Sequence, residues 1–247
     1  LIGESLLLVL LFSGSLSFVP RLSIYHRSGN GSLRHAARIG FALLMAQVYY
    51  RTDSVILEFI KGERCVGLYT AIYQLIFVGE SIAVLYFSSI LPRISTFWRD
   101  SREKLSGLLE FSMSVFVTIG CLLGIIGLLF SESIVFTVYG LGYVSSHTTF
   151  AILIWSMVIT YIALTPVYFL IGTRYQKECS RATVIAALVN LVLNFPFIMF
   201  YGIRGAAVAT VVSKFAELVY VHRKTREKIG LAWKKGRILK LILAMAV

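Results

Sequence analysis

The sequence predicts an all-α integral membrane protein of about seven transmembrane helices plus the start of an eighth, and three observations carry that prediction. Hydrophobic residues make up 57% of the 247 and charged residues 15%, with a mean hydropathy of +0.81. Soluble domains carry roughly a quarter charged residues. The apolar residues fall in runs of about the 20 that a helix needs to cross a hydrocarbon core. They lack the strict alternation over about ten residues that barrel strands would show. The basic residues sit between the runs, so the net charge of +12 reads as loops facing anionic headgroups, and nucleic acid is excluded as a partner.

In order, the first run, Leu6 to Val19, ends at Pro20-Arg21. The second, Ile39 to Ile60, follows a Gly/Ser/Arg loop around Arg27 to Ser32. The third, Val66 to Leu91, is expected to stop at Pro92-Arg93, and the fourth covers Leu108 to Phe130. A short external loop, Ser131 to His147, separates it from the fifth, Thr149 to Gly172. The sixth, Ala182 to Tyr201, ends at Gly202, a helix-terminating residue. The seventh, Gly205 to Val221, runs into a long basic stretch. Only helices or closed barrels satisfy their backbone in lipid, so each run is read as a helix. The chain opens on Leu1 inside an apolar run and closes at Val247 part-way through another that begins at Ile238. Both ends read as cut, and the chain as a fragment.

Loop charge sets the orientation. The loops after the first, third, fifth and seventh runs hold nineteen Lys/Arg, and the alternate loops hold three (Lys61, Arg64, Arg204). The positive-inside rule places loops 21–38, 92–107, 173–181 and 222–237 in the cytoplasm of a bacterial inner membrane.

No Walker loop, dinucleotide fingerprint, HExxH or cysteine cluster is present. The four histidines lie in loops or at helix ends, and Cys65, Cys121 and Cys179 fall at three depths and read as free thiols. Neither cofactor nor metal is expected. What stands out is charge inside apolar runs, which is costly and by default functional. Gln47, Arg51, Ser54 and Glu58 fall within about 60° of arc on one helix, a polar stripe with Arg51 near mid-membrane. A guanidinium there suits either a buried ion pair or an anionic substrate, which it can grip bidentately. Asp53 lies about 160° away on another face and reads as a structural or registry residue. Glu80 shares a stripe with Tyr69, Tyr73 and Phe87. Lys214 and Glu217 are spaced to pair or snorkel. Gly205-Ala206-Ala207 with Ala209 reads as a close-packing face, and Asn190 and Asn194, one turn apart, as an interhelical hydrogen-bonding pair.

Several stretches together resemble the multidrug/oligosaccharidyl-lipid/polysaccharide (MOP) exporter superfamily, and within it the polysaccharide-biosynthesis flippases of O-antigen and teichuronic acid type. They are Tyr50 to Leu57, with its Arg51-Thr52-Asp53 core, Val66 to Ala71, Leu91 to Ser95, Tyr139 to Tyr143, Asn190 to Asn194 and Gly202 to Thr210. Each is short and tolerant, and their order and spacing make the case over about residues 36 to 222.

The resemblance implies two six-helix lobes around a central cavity. Residues 1–24 would be the last helix of the N-lobe, 25–38 the cytoplasmic inter-lobe loop, 39–222 the C-lobe, and 223–247 a basic loop and the start of an additional helix. It implies a non-enzymatic transporter that moves lipid-linked oligosaccharide by alternating access, in contact with membrane lipids and with glycan polymerase machinery. Arg51 would then meet a pyrophosphate or acidic sugar, Gln47, Ser54 and Tyr73 would bind sugar hydroxyls, and Asp53, Glu58 or Glu80 would couple to an ion or form structural pairs. Within the same superfamily, a multidrug/cation antiporter or a lipid II flippase is the alternative. Outside it stand a polysaccharide polymerase or ligase, which the short external loops disfavour, and a non-transporting scaffold.

Overall fold

Apolar periodicity and the few residues that interrupt it set the architecture. A computed structural model describes residues 52–230 of the chain, and these belong to one compact unit. Within them run α1 (52–61), α2 (Glu63–Asp100), α3 (Arg102–Leu129), α4 (Ser131–Tyr139), a 3₁₀ turn (Leu141–Ser146), α5 (His147–Gly172), α6 (Gln176–Tyr201) and α7 (Ile203–Ile229). No strand occurs among the described residues. Four helical segments among them are long and apolar enough to cross a membrane: α2, α3, the 3₁₀ turn with α5, and α6. The runs expected before residue 52 and after residue 230 lie outside the described residues.

The centre of the bundle is α5. Sixty-one per cent of its most apolar stretch is buried, against 39% for α3 and 22% for α2 and α6. A helix apolar on all sides belongs in the middle. In α2 the buried positions Tyr69, Ile72, Ile76, Ala83, Phe87, Ile90 and Ile94 recur at helical spacing and form one stripe. In α3 the buried stripe ends in three small residues, Gly120, Gly124 and Gly127. A Cβ at Gly124 would fall 2.8 Å from Val158 Cγ2, and one at Gly127 2.6 Å from Ile154 Cγ1. Small residues let helices approach where lipid offers no hydrophobic drive. An aromatic knot joins the three helices, with Phe116 of α3 4.8 Å from Phe87 of α2 and 5.5 Å from Tyr161 of α5, between ring centroids.

The α6–α7 hairpin turns on a single residue. Gly202 has φ 58 and ψ −134, which glycine adopts without Cβ strain. The packing face expected at Gly205, Ala206, Ala207 and Ala209 is buried throughout, and a Cβ on Gly205 would overlap the Phe197 carbonyl.

Several helix ends differ from expectation. Helix α2 does not stop at Pro92 but continues to Asp100 with the proline inside it. Proline removes one ladder hydrogen bond, and packing holds the two further turns. Ile94 is buried against Gly172, Arg102 stacks over Trp98 at 3.6 Å, and the Arg102 Nη1 donates to the Ile229 carbonyl at 3.1 Å. The loop expected over 92–107 therefore shrinks to Ser101, an extended N-cap whose hydroxyl accepts from the Lys104 N–H. The external loop expected at 131–147 is helical too, because Val135 is buried and Tyr139 Oη donates to the Ala71 carbonyl at 2.6 Å. Between α5 and α6 only 173–175 remain outside a helix, and α7 extends to Ile229 before Gly230. Helix α7 is absent from the four apolar segments because Arg204, Lys214 and Glu217 interrupt its run.

Candidate functional site

Four helices bring one polar cluster together. Asp53 of α1 is 6% exposed and Leu57, one turn on, is fully buried, so this face of α1 packs inward. Tyr69 opens the buried stripe of α2. On α6 the buried residues Ala182, Ala186, Asn190, Asn194 and Ile198 recur every four positions, which puts both asparagines on the inward face. Thr210 follows Ala206 by one turn on the small-residue face of α7.

The side chains close around the carboxylate. Tyr69 Oη donates to Asp53 Oδ2 at 2.8 Å, and Thr210 Oγ1 donates to the same oxygen at 2.9 Å. The two hydroxyls are themselves 3.2 Å apart. Asn194 Nδ2 donates to Asp53 Oδ1 and, at 2.8 Å, to Asn190 Oδ1. The Asn194 Oδ1 is buried with no hydrogen-bond donor. The three side chains that donate to Asp53 are all neutral.

This arrangement has a definite chemistry. An ionised carboxylate buried among neutral groups is costly unless a proton or a cation compensates it. The surroundings offer oxygen: two carboxylate oxygens, two hydroxyls, the Asn190 carboxamide and the donorless Asn194 oxygen. Hard oxygen donors suit a hard cation, and a single carboxylate matches a single positive charge. Among the described residues no group of three or more His, Cys, Asp or Glu side chains suited to a metal occurs.

The other residues singled out from sequence have separate surroundings. Glu80 on α2 is half-buried and accepts from Thr160 Oγ1 of α5 at 2.7 Å, beside Tyr161 Oη, which donates to the Gly79 carbonyl. Tyr73 is half-buried, its ring 5.9 Å from that of Tyr69. Ser54 is half-buried and Glu58 exposed. Gln47 and Arg51 lie outside the described residues. Lys214 is buried in α7, one turn beyond Thr210. A further carboxylate, Glu178, ties α6 to α7 near the end expected to face the cytoplasm. It accepts from Arg181 Nη1 and from Tyr220 Oη, both at 2.8 Å.

Sequence reasoning found Asp53 and both asparagines but did not join them, and it missed Thr210 and the role of Tyr69. The available signal was the intramembrane acid together with an Asn pair at i, i+4 and a hydroxyl one turn after a small-residue patch.

This bundle of apolar helices has solved counterparts. The chain shares its fold with MOP-superfamily transporters. It superposes on the lipid II flippase MurJ in an inward-closed conformation with a TM-score of 0.74, at 16% identity, covering 95% of this chain and 51% of that one. An outward-facing MATE family multidrug resistance transporter gives 0.66 at 21% identity, covering 82% and 48%. A MOP superfamily transporter from Pyrococcus furiosus gives 0.64 at 20% identity, covering 82% and 47%. In sequence the chain is 28% identical over 183 residues to a probable low-salt glycan biosynthesis flippase, Agl15, of Haloferax volcanii, which is 70% of this chain and 37% of that protein. No family model matches the sequence. The chain thus spans about half the length of the solved transporters and 37% of the curated relative.

Proposed function

We propose that this chain is the second lobe of a two-lobed flippase that carries lipid-linked oligosaccharide precursors across a prokaryotic plasma membrane by alternating access. The likeness to a glycan biosynthesis flippase carries the reading, and the superposition on a lipid II flippase supports it. Residues 39–222 form the lobe, 25–38 the inter-lobe loop, 1–24 the last helix of the other lobe, and 223–247 a basic loop leading to an additional helix. The protein is a transporter and not an enzyme. The similar curated relative is archaeal, so the bacterial inner membrane and an O-antigen-type glycan are the finer part of the proposal, as is association with polymerase machinery.

In this reading Arg51 holds the pyrophosphate or an acidic sugar, and Gln47, Ser54 and Tyr73 bind sugar hydroxyls. The Asp53 cluster is the coupling site, where a monovalent cation or a proton compensates the carboxylate in one state of the cycle and leaves in another. Glu58 and Glu80 are further acids for coupling or for structural ion pairs. Binding in one conformation and not the other is what lets an ion gradient shift the balance between them.

Cells lacking the gene test the reading. They should accumulate lipid-linked oligosaccharide on the cytoplasmic leaflet and lose surface glycan, and the Asp53→Asn allele should fail to restore it. Normal surface glycan in the deletion strain would contradict a flippase. A selective rise in drug sensitivity would point instead to the multidrug antiporter.

A further inference from the structure

A buried lysine stands one turn from the Asp53 cluster. Lys214 of α7 is 7% exposed, and an ammonium inside an apolar bundle is costly unless anions or acceptors surround it. Thr210, one turn earlier on the same helix, donates to Asp53 Oδ2 at 2.9 Å. The two positions lie within about 40° of arc and about 6 Å along the axis, so they share one inward face. Side chains on a helix lean back toward its N-terminus. That bias carries the Lys214 ammonium toward Thr210 and the carboxylate, on a flexible four-carbon stem. Glu217, the acid spaced to pair with it on α7, lies in the opposite direction along the helix.

The cluster itself offers acceptors that its own donors do not fill. Asn194 Nδ2 is occupied by Asp53 and Asn190, while Asn194 Oδ1 is buried with no donor. A buried acceptor left in that condition is costly. An ammonium brings three donors and a full positive charge. In this conformation Lys214 is not among the donors to Asp53, which are Tyr69, Thr210 and Asn194.

From these positions we infer that Lys214 is a tethered cation that competes with the coupling ion for Asp53. The inference rests on the reading of Asp53 as the coupling site and names what holds its charge when the ion leaves. With the ion bound, the ammonium keeps to its own turn of α7. When the ion departs, the ammonium donates to Asp53 and to Asn194 Oδ1. The carboxylate is then never buried without a counter-charge. Both cations take the same oxygens, so each excludes the other. The apparent Kd is the intrinsic Kd divided by the fraction of sites open to the ion. A lysine that fills about nine sites in ten weakens the apparent affinity about tenfold.

Ion titrations on the purified protein test this. Thermal unfolding in detergent is followed against sodium, potassium and lithium chloride, with choline chloride holding the ionic strength constant. At least one of these ions should bind Lys214→Met at least about tenfold more tightly than the wild type. Lys214→Gln should do the same, and it serves where the methionine variant does not fold. Lys214→Arg keeps a tethered charge and should bind the ion more weakly than Lys214→Met. Asp53→Asn should abolish the response in every background.

Affinity in Lys214→Met and Lys214→Gln equal to or weaker than that of the wild type would overturn the exchange. Lys214→Arg binding as tightly as Lys214→Met would also overturn it, since shape and not charge would then be the cause. No response to any ion in the wild type and both neutral variants would overturn it together with the cation form of coupling at Asp53. The flippase reading stands apart from these outcomes, because its own test is surface glycan in the deletion strain.

Discussion

Asp53 carries the sharpest consequence at the scale of single residues. Its two oxygens take hydrogen bonds from Tyr69, Thr210 and Asn194, so removing the carboxylate takes an acceptor from three buried side chains, of which Thr210 keeps the Ala206 carbonyl and Asn194 keeps Asn190. Asp53→Ala should lower stability by about 2–4 kcal/mol, while Asp53→Asn keeps the shape, loses the charge and costs less. Chemical unfolding in detergent checks this, and equal effects of the two would argue against a charge-specific role. If a cation compensates Asp53, adding that ion at about a hundred times its Kd should stabilise the wild type by roughly 2.7 kcal/mol and leave Asp53→Asn unmoved. An unchanged midpoint in sodium, potassium and lithium would leave the proton as the coupling ion.

The sequence made Asp53 visible, since an acid in an apolar run is rare, but read it as a registry residue. Its partners lie 16, 141 and 157 positions away, and no helical periodicity encodes which faces of four different helices meet.

Packing faces and helix ends behave differently at the scale of elements. The small-residue face of α7 was legible because Gly and Ala in an intramembrane run have few other uses. Adding a methyl at Gly205 would collide with the Phe197 carbonyl. Backbone cannot swing aside as a flexible side chain can, so Gly205→Ala should cost about 1–3 kcal/mol and loosen the α6–α7 hairpin. Hydrogen exchange across 190–215 reads that out, and unaltered protection would contradict the packing. Arg174 makes the converse case. It sits at φ 69 beyond the end of α5, a conformation that disfavours an L side chain. Arg174→Gly should therefore raise stability by about 0.5–1 kcal/mol in thermal unfolding, and a loss would assign the guanidinium a contact of its own. Helix ends were the least legible feature. Pro92 reads as a stop, yet α2 passes through it because Ile94 and Trp98 find partners on other elements. Proline's local cost was visible in the sequence, and the tertiary gain that offsets it was not.

The fold class at the scale of the whole molecule followed from composition and run length alone, because the bilayer imposes both. Orientation rests on loop charge. In intact cells an impermeant thiol reagent should reach Gly142→Cys between α4 and α5 and spare Ser101→Cys between α2 and α3, with the native cysteines removed. The reverse pattern would invert the topology. A polar stripe over Gln47, Arg51, Ser54 and Glu58 was evident from spacing, and Gln47 and Arg51 lie outside the described residues.

If this protein moves a lipid-linked glycan and an ion at Asp53 drives it, translocation responds both to an ion gradient and to loss of the carboxylate. The most direct measurement follows a fluorescent lipid-linked oligosaccharide between the leaflets of sealed vesicles containing the protein, with and without an imposed sodium or proton gradient. Gradient-dependent translocation by the wild type and a loss of at least about tenfold in Asp53→Asn, equivalent to about 1.4 kcal/mol of coupling, are expected of ion-driven transport. Translocation that is equally fast without a gradient, or in Asp53→Asn, would contradict it.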